Sequence, residues 1–166
     1  MSGVPAPLAL FLCQRNTAAS IMAEAILRHL ARGRVRAASA GEVPHGQLNP
    51  YALECLSAHG IATQGLRNRT WGEFWGSGRP PVRFLIALAD VYPEKSVWGP
   101  GTIIAQWYMQ DPGAIVGSEQ EIRAGFAEAF GTLESRIRQF LGLALEQLTD
   151  RALSRELACI GQSPRV

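Results

Sequence analysis

The sequence predicts an α/β domain, a parallel sheet of about four strands with helices on both faces, and three observations lead there. Leu8–Leu12 is a continuous apolar run rather than an alternating one, the pattern of a strand buried on both sides, and Val82–Ala89 reads as a second strong strand. Between them lie segments with apolar residues at helical spacing, which are the crossovers a parallel arrangement requires. The composition is that of a globular chain: 166 residues, 47% hydrophobic and 18% charged, enough for one well-filled core and without internal repeats or low-complexity runs.

Taken in order, Leu8–Leu12 is the first buried strand. Ser20 is placed to cap the next helix, whose inner stripe is Met22, Ala25, Ile26, His29 and Leu30. A short strand over Val35–Ser39 ends at Gly41. Pro50 occupies the first position of a helix over Tyr51–His59, with Gly60 placed to stop it, and Cys55 within it reads as a small buried hydrophobe. Ala62–Pro81 is irregular, punctuated by glycines and prolines around Trp71, Phe74 and Trp75. Val82–Ala89 is the next strand, Trp98–Thr102 a turn and Ile103–Gln106 the last strand. Ser118-Glu119-Gln120-Glu121 matches a capping box and opens a long helix with Ile122, Phe126, Phe130, Leu133, Ile137, Leu141, Leu145 and Leu148 on one face. Residues 1–150 thus read as a single domain, and Arg151–Val166 as a loosely attached tail with one short helix.

A net charge of +2 is too small to argue for nucleic acid or a membrane surface. Arg28, Arg32, Arg34 and Arg36 cluster around the end of the first helix, where cations complement the helix dipole. Residues 6–12 look like a short signal-peptide core, but no Lys or Arg precedes them and the run is too short to span a bilayer, so a buried strand explains it better. Cys13, Cys55 and Cys159 are odd in number, widely spaced and without a CxxC pair. That argues against a disulfide framework or a zinc site and fits a reducing cytoplasm, with no metal and no cofactor expected.

The stretch from Leu8 to Ala25 concentrates the chemistry. An apolar strand ends in Cys13, crosses a polar loop and opens into an amphipathic helix. In parallel sheets ligands bind beyond the carboxyl ends of the strands, where Cys13 falls. Unpaired N–H groups and the positive end of the dipole collect at a helix start, suiting an oxyanion and favouring thiolate over thiol.

At these residues the chain resembles the low-molecular-weight protein tyrosine phosphatase superfamily, and within it the thioredoxin-coupled arsenate reductases. The resemblance runs from about residue 8 to residue 148. It rests on Phe11-Leu12-Cys13, Asn16, Ser20-Ile21-Met22-Ala23-Glu24-Ala25, Ser39-Ala40-Gly41, Leu48-Asn49-Pro50 and Trp107-Tyr108-Met109-Gln110-Asp111-Pro112, in the family's order. It implies a flavodoxin-like three-layer fold in which Gln14, Arg15, Asn16, Thr17, Ala18, Ala19 and Ser20 wrap a phosphate-like anion or a phosphorylated substrate. Cys13 would be the nucleophile, held ionised by backbone amides, the dipole and the Ser20 hydroxyl. Asn16 would brace the loop in a left-handed turn, and Asp111 would be the general acid. Asp-Pro also starts turns by itself, but order and spacing favour the catalytic reading.

One departure matters. The family's loop runs Cys-x5-Arg-Ser, and the arginine position here is Ala19. Alanine can neither grip two oxygens of the anion nor offset charge in the transition state. Losing one preorganised oxyanion donor costs on the order of 10²–10³ in rate, and transition-state arginines in phosphoryl transfer contribute roughly 10³–10⁵. Arg15, where the family has glycine, reads as a rim charge, while nothing fixes where Arg67 and Arg69 point. The two further cysteines that the reductases carry after the third strand are missing from Ile86 through Ser96. Trp71, Phe74, Trp75 and Trp107 are candidate walls for a phosphotyrosine pocket. The expectation is a cysteine-dependent phosphatase or arsenate-reductase-like protein with impaired catalysis. The alternative is a degenerate oxyanion-binding or regulatory module with a protein partner.

Overall fold

The computed structural model describes residues 3–76, 78–89 and 91–162. Four strands, β1 (Leu8–Cys13), β2 (Arg36–Gly41), β3 (Val82–Ala87) and β4 (Ile103–Gln106), form one parallel sheet in the order β2-β1-β3-β4. The helices are α1 (Ala19–Ala31), α2 (Pro50–Ala58), the single turn α3 (Lys95–Trp98), α4 (Glu119–Leu141) and α5 (Asp150–Gln162), with 3₁₀ turns at Trp71–Phe74 and Pro112–Ala114. This is the flavodoxin-like α/β arrangement that the family resemblance implies, built on the parallel sheet that the apolar strands predict.

The two faces of the sheet are covered unequally. Ala9, Phe11, Phe84, Ile86, Ile103 and Ala105 point to the face where α1, α2, α4 and α5 contribute Met22, Ile26, Leu56, Phe126, Leu133 and Leu157 to one core. Leu8, Leu10, Leu12, Ala40 and Leu85 point the other way and meet Trp71, Phe74, Trp98 and Ile104. That side has only α3, the Trp71–Phe74 turn and the irregular segment before β3, so aromatic bulk does there what a long helix does opposite.

Four sequence expectations change. Ser20 is not the cap of α1: the helix starts at Ala19, Ala18 is the N-cap residue, and no side chain caps it. The long helix stops at Leu141, where Gly142 hands its amide to the carbonyls of Arg138 and Gln139 and the chain turns, so Leu145 and Leu148 continue the apolar face without continuing the helix. The stretch expected to be a loose tail is mostly α5. Leu153, Leu157 and Ile160 are buried in the main core, and the Trp107 indole N–H donates to the Leu157 carbonyl at 2.9 Å. At Gly161 a Cβ would stand 2.3 Å from the Gln106 carbonyl oxygen, so glycine alone permits the close approach of α5 to the end of β4. Residues 163–166 of that stretch lie outside the described residues, as do residues 1–2 of the expected domain. His29, assigned to the inner stripe of α1, is exposed.

Candidate active site

Register places Cys13 at the carboxyl end of β1, beside Gly41 of β2. The chain then leaves the sheet through residues 14–18 and enters α1. Asn16 takes the left-handed conformation there, φ 57°, which asparagine adopts more readily than most residues. The loop is pinned from outside by the amides of Glu42, Val43 and Asn49, which donate to the carbonyls of Cys13, Gln14 and Thr17 at 3.1, 2.9 and 2.8 Å. Gly41 lets it close: a Cβ there would meet the Gln14 carbonyl oxygen at 2.8 Å and the Arg15 carbonyl carbon at 3.0 Å.

Three groups face the sulfur, the Asn16 amide, the Ser20 hydroxyl and the Ser20 amide. The Asn16 amide donates to Cys13 Sγ at 3.0 Å, and Ser20 Oγ lies 2.8 Å from it. Ser20 Oγ also accepts from Asn16 Nδ2 at 2.9 Å, so its own proton is free to point at a thiolate. Asn16 Nδ2 donates as well to Ser39 Oγ at 2.9 Å, and the Ser39 hydroxyl donates to Glu24 Oε1 at 2.8 Å. Glu24 is fully buried and is paired with Arg69, whose Nη1 lies 3.0 Å from Oε1, and with Arg28. A buried polar chain from two guanidiniums to the sulfur therefore underlies the loop, and every side chain named in it is satisfied.

Asn16 and Ser20 work beneath the loop. Gln14, Arg15, Thr17, Ala18 and Ala19 instead line, with Cys13, a cavity of about 320 Å³. Its remaining walls are Leu88 and Ala89 after β3, Tyr108 and Met109 after β4, and Asp111, Gly113 and Ala114. Met22 is the first residue of α1 whose amide bonds back within the turn, so the amides of Ala19, Ser20 and Ile21 have no acceptor in the helix, and that of Ser20 faces the Cys13 sulfur. Asp111 also lines this cavity. Its Oδ1 accepts the Gly113 amide at 2.9 Å, leaving Oδ2 to exchange a proton, and its charge raises the Cys13 pKa slightly.

The thiol itself departs from the sequence expectation of a thiolate held ionised. Burial pushes the Cys13 pKa above the ordinary thiol value; the Ser20 hydroxyl and the amides of Asn16 and Ser20 pull it down without cancelling that cost. No cation compensates. Arg15 is exposed on the rim, Arg69 turns under the loop to Glu24, and Arg67 pairs with Glu73 at 3.1 Å. Among the described residues Arg15 is the one cation lining the cavity.

The expected aromatic walls are elsewhere. Trp107 is fully buried against Phe11 and Phe140, while Trp71, Phe74 and Trp75 belong to the cover on the other side of the sheet. Tyr108, 59% exposed, is the aromatic wall that sequence reasoning missed. The signal for it was alternation past the end of β4, which turns Trp107 inward and Tyr108 outward. Cys55 sits on α2 with its thiol toward the Phe126 carbonyl, and Cys159 is exposed on α5, so neither reaches this cavity.

Residues 9–79 match the low molecular weight phosphotyrosine protein phosphatase family. No curated protein matches the chain. Among solved structures, the thioredoxin-dependent arsenate reductase of Corynebacterium glutamicum is 24% identical, with a TM-score of 0.56 over 82% of this chain and 64% of its own, so this chain spans less than two thirds of that relative. An arsenate reductase in its phosphate-binding state is 21% identical, with a TM-score of 0.65 over 81% of this chain and 96% of its own. The tyrosine phosphatase of Erwinia amylovora is 17% identical, with a TM-score of 0.61 over 83% of this chain and 93% of its own. In sequence over residues 9–79, and in fold over most of its length, this chain resembles the low molecular weight phosphotyrosine protein phosphatases and the arsenate reductases that share their architecture.

Proposed function

We propose that the cavity over Cys13 binds a phosphate-like oxyanion and that Cys13 attacks it, giving slow phosphatase-like chemistry. The observation that carries this reading is the sulfur receiving the Asn16 amide and the Ser20 hydroxyl in a cavity that Asp111 also lines. The amides at the start of α1 would hold the anion's oxygens. The Cys13 thiolate would form a bond to phosphorus while the ester oxygen leaves with a proton from Asp111. Water would then cleave the S–P bond, with Asp111 taking a proton back.

Ala19 and the raised thiol both oppose fast turnover. Burial favours the neutral thiol of Cys13, and among the described residues Arg15 on the rim is the one guanidinium at the cavity where charge would build on the transferring group. The same two observations favour the second reading, an oxyanion-binding module that hardly turns over. Reduction of arsenate through internal disulfides is the less supported chemistry, because neither Cys55 nor Cys159 lines the cavity. The nucleophile must stay reduced, which supports placement in the cytoplasm.

Hydrolysis of an aryl phosphate by the wild type, Cys13→Ser and Ala19→Arg tests the reading. Activity that vanishes in Cys13→Ser and rises at least about tenfold in Ala19→Arg supports the enzyme. Activity seen only with Ala19→Arg supports the module. No stabilisation by phosphate or arsenate in a thermal melt removes both, because a ligand selective for the native state must raise its stability.

A further inference from the structure

A second concavity, larger than the Cys13 cavity, lies away from it at the free edge of β2. It opens about 590 Å³ between the end of α1, residues 35–38, residues 67–74 and residues 79–80, and shares no lining residue with the Cys13 cavity. Five guanidiniums line it: Arg28, Arg36, Arg67, Arg69 and Arg79. Only two carboxylates answer them, Glu24 beneath and Glu73 on the wall, and Arg79 has no partner among the described residues. The remaining pairings leave donors over, since each guanidinium has five N–H groups and Arg36 spends one on the Ala6 carbonyl.

The sheet edge adds polar groups to the same wall. Arg36 N–H bonds the Pro7 carbonyl toward β1, so Ala37, one residue on, turns its N–H and C=O outward. The Gly41 amide, on the same outward row, is taken by the Arg69 carbonyl, whereas the Ala37 amide has no backbone partner beyond the sheet among the described residues.

We propose that this cleft is a second anion site, selective for a small ligand with adjacent phosphate groups such as a di- or triphosphate. Planar guanidiniums arriving from three separate chain segments suit several oxygens on neighbouring phosphates, which a single oxyanion cannot supply at once. The volume lies within the range of small-ligand pockets, and the inner wall, with Leu8 buried and Arg69 only 17% exposed, is out of reach of a flat protein surface. The site does not depend on the chemistry at Cys13. It does share Arg28 and Arg69 with the Glu24 chain beneath the loop, so a bound polyphosphate competes for the groups that hold Glu24.

Tripolyphosphate titrated calorimetrically into the full chain at low ionic strength is the test, with Arg67→Ala, Arg79→Ala and Arg15→Ala beside the wild type. All three side chains are exposed, so the fold should survive their loss. Expected is binding that weakens about tenfold or more in each of the first two variants, and is unchanged in Arg15→Ala, which alters only the rim of the Cys13 cavity. Inorganic phosphate should bind the wild type much more weakly than tripolyphosphate. Three results overturn the proposal: no binding, equal affinity in both cleft variants, or loss in Arg15→Ala. An acidic decapeptide binding as tightly as tripolyphosphate overturns the assignment to a small ligand.

Discussion

Asn16 Oδ1 accepts the backbone N–H of Arg69 at 2.8 Å, which fixes the orientation of the Asn16 amide and turns its amino group toward Ser20 and Ser39. A backbone amide can only donate, so the oxygen has no other place to be. One side chain thereby joins the loop, β2 and the segment before the Trp71–Phe74 turn.

Replacing Asn16 by alanine leaves the Ser20 and Ser39 hydroxyls and the Arg69 amide short of a partner and keeps a Cβ in the left-handed region. The expected cost is about 2–4 kcal/mol, read from urea unfolding midpoints. Asn16→Gly should cost less, because glycine removes the conformational part. Equal losses would show that the backbone conformation contributes nothing.

The direction of the Cys13 shift sets a pH dependence. Its pKa is raised in the folded protein, so the fold favours the neutral thiol. Stability from this group is complete below the ordinary thiol pKa, about 8.5, and is lost as pH climbs from there through the folded value. The rate of Cys13 alkylation by iodoacetamide, followed by mass spectrometry, should have its midpoint above that of a free thiol. Ala19→Arg should move the midpoint down and Ser20→Ala should move it up.

Gly41→Ala drives a methyl group into the backbone of residues 14 and 15, which cannot yield as a side-chain tip would. Overpacking of this kind costs about 1–3 kcal/mol. Because the displaced atoms belong to the loop, phosphate should also lose its stabilising effect in a thermal melt. Retained phosphate stabilisation alongside a lower melting temperature would place the anion away from residues 13–20.

Leu157 is fully buried where α5 meets the core, and its carbonyl holds the Trp107 indole. Leu157→Ala should cost about 2–5 kcal/mol, as a core leucine does and a tail leucine does not. Limited proteolysis should release a C-terminal fragment from the variant before the wild type.

The sheet and the loop were legible because their residues are dictated locally. Leu8–Leu12 is apolar at every position and Val82–Ala87 at every position but Arg83, and Cys13, Asn16 and Ser20 fall within one strand-loop-helix unit. What stayed hidden depends on contacts distant in sequence. Arg69 meets Glu24 across 45 residues, and no periodicity marks either as paired. The ionisation of Cys13 turned on its burial, which a strand-end position does not specify. The capping role of Ser20 was misplaced because the helix starts one residue earlier, at Ala19, which puts Ser20 inside the first turn with its hydroxyl beside the sulfur. The end of α4 was missed because Leu145 and Leu148 keep the apolar spacing after the hydrogen bonds have stopped.

The unequal cover of the sheet gives the molecule two separate optical reporters. Trp107 lies sealed between Phe11, Phe140 and α5, whereas Trp71, Trp75 and Trp98 touch one another in a chain with ring centroids 5.7 and 5.8 Å apart on the opposite side. A quencher dissolved in water reaches the second group and not the first. Loosening of one layer therefore leaves a spectral trace distinct from loosening of the other, within a single unlabelled chain.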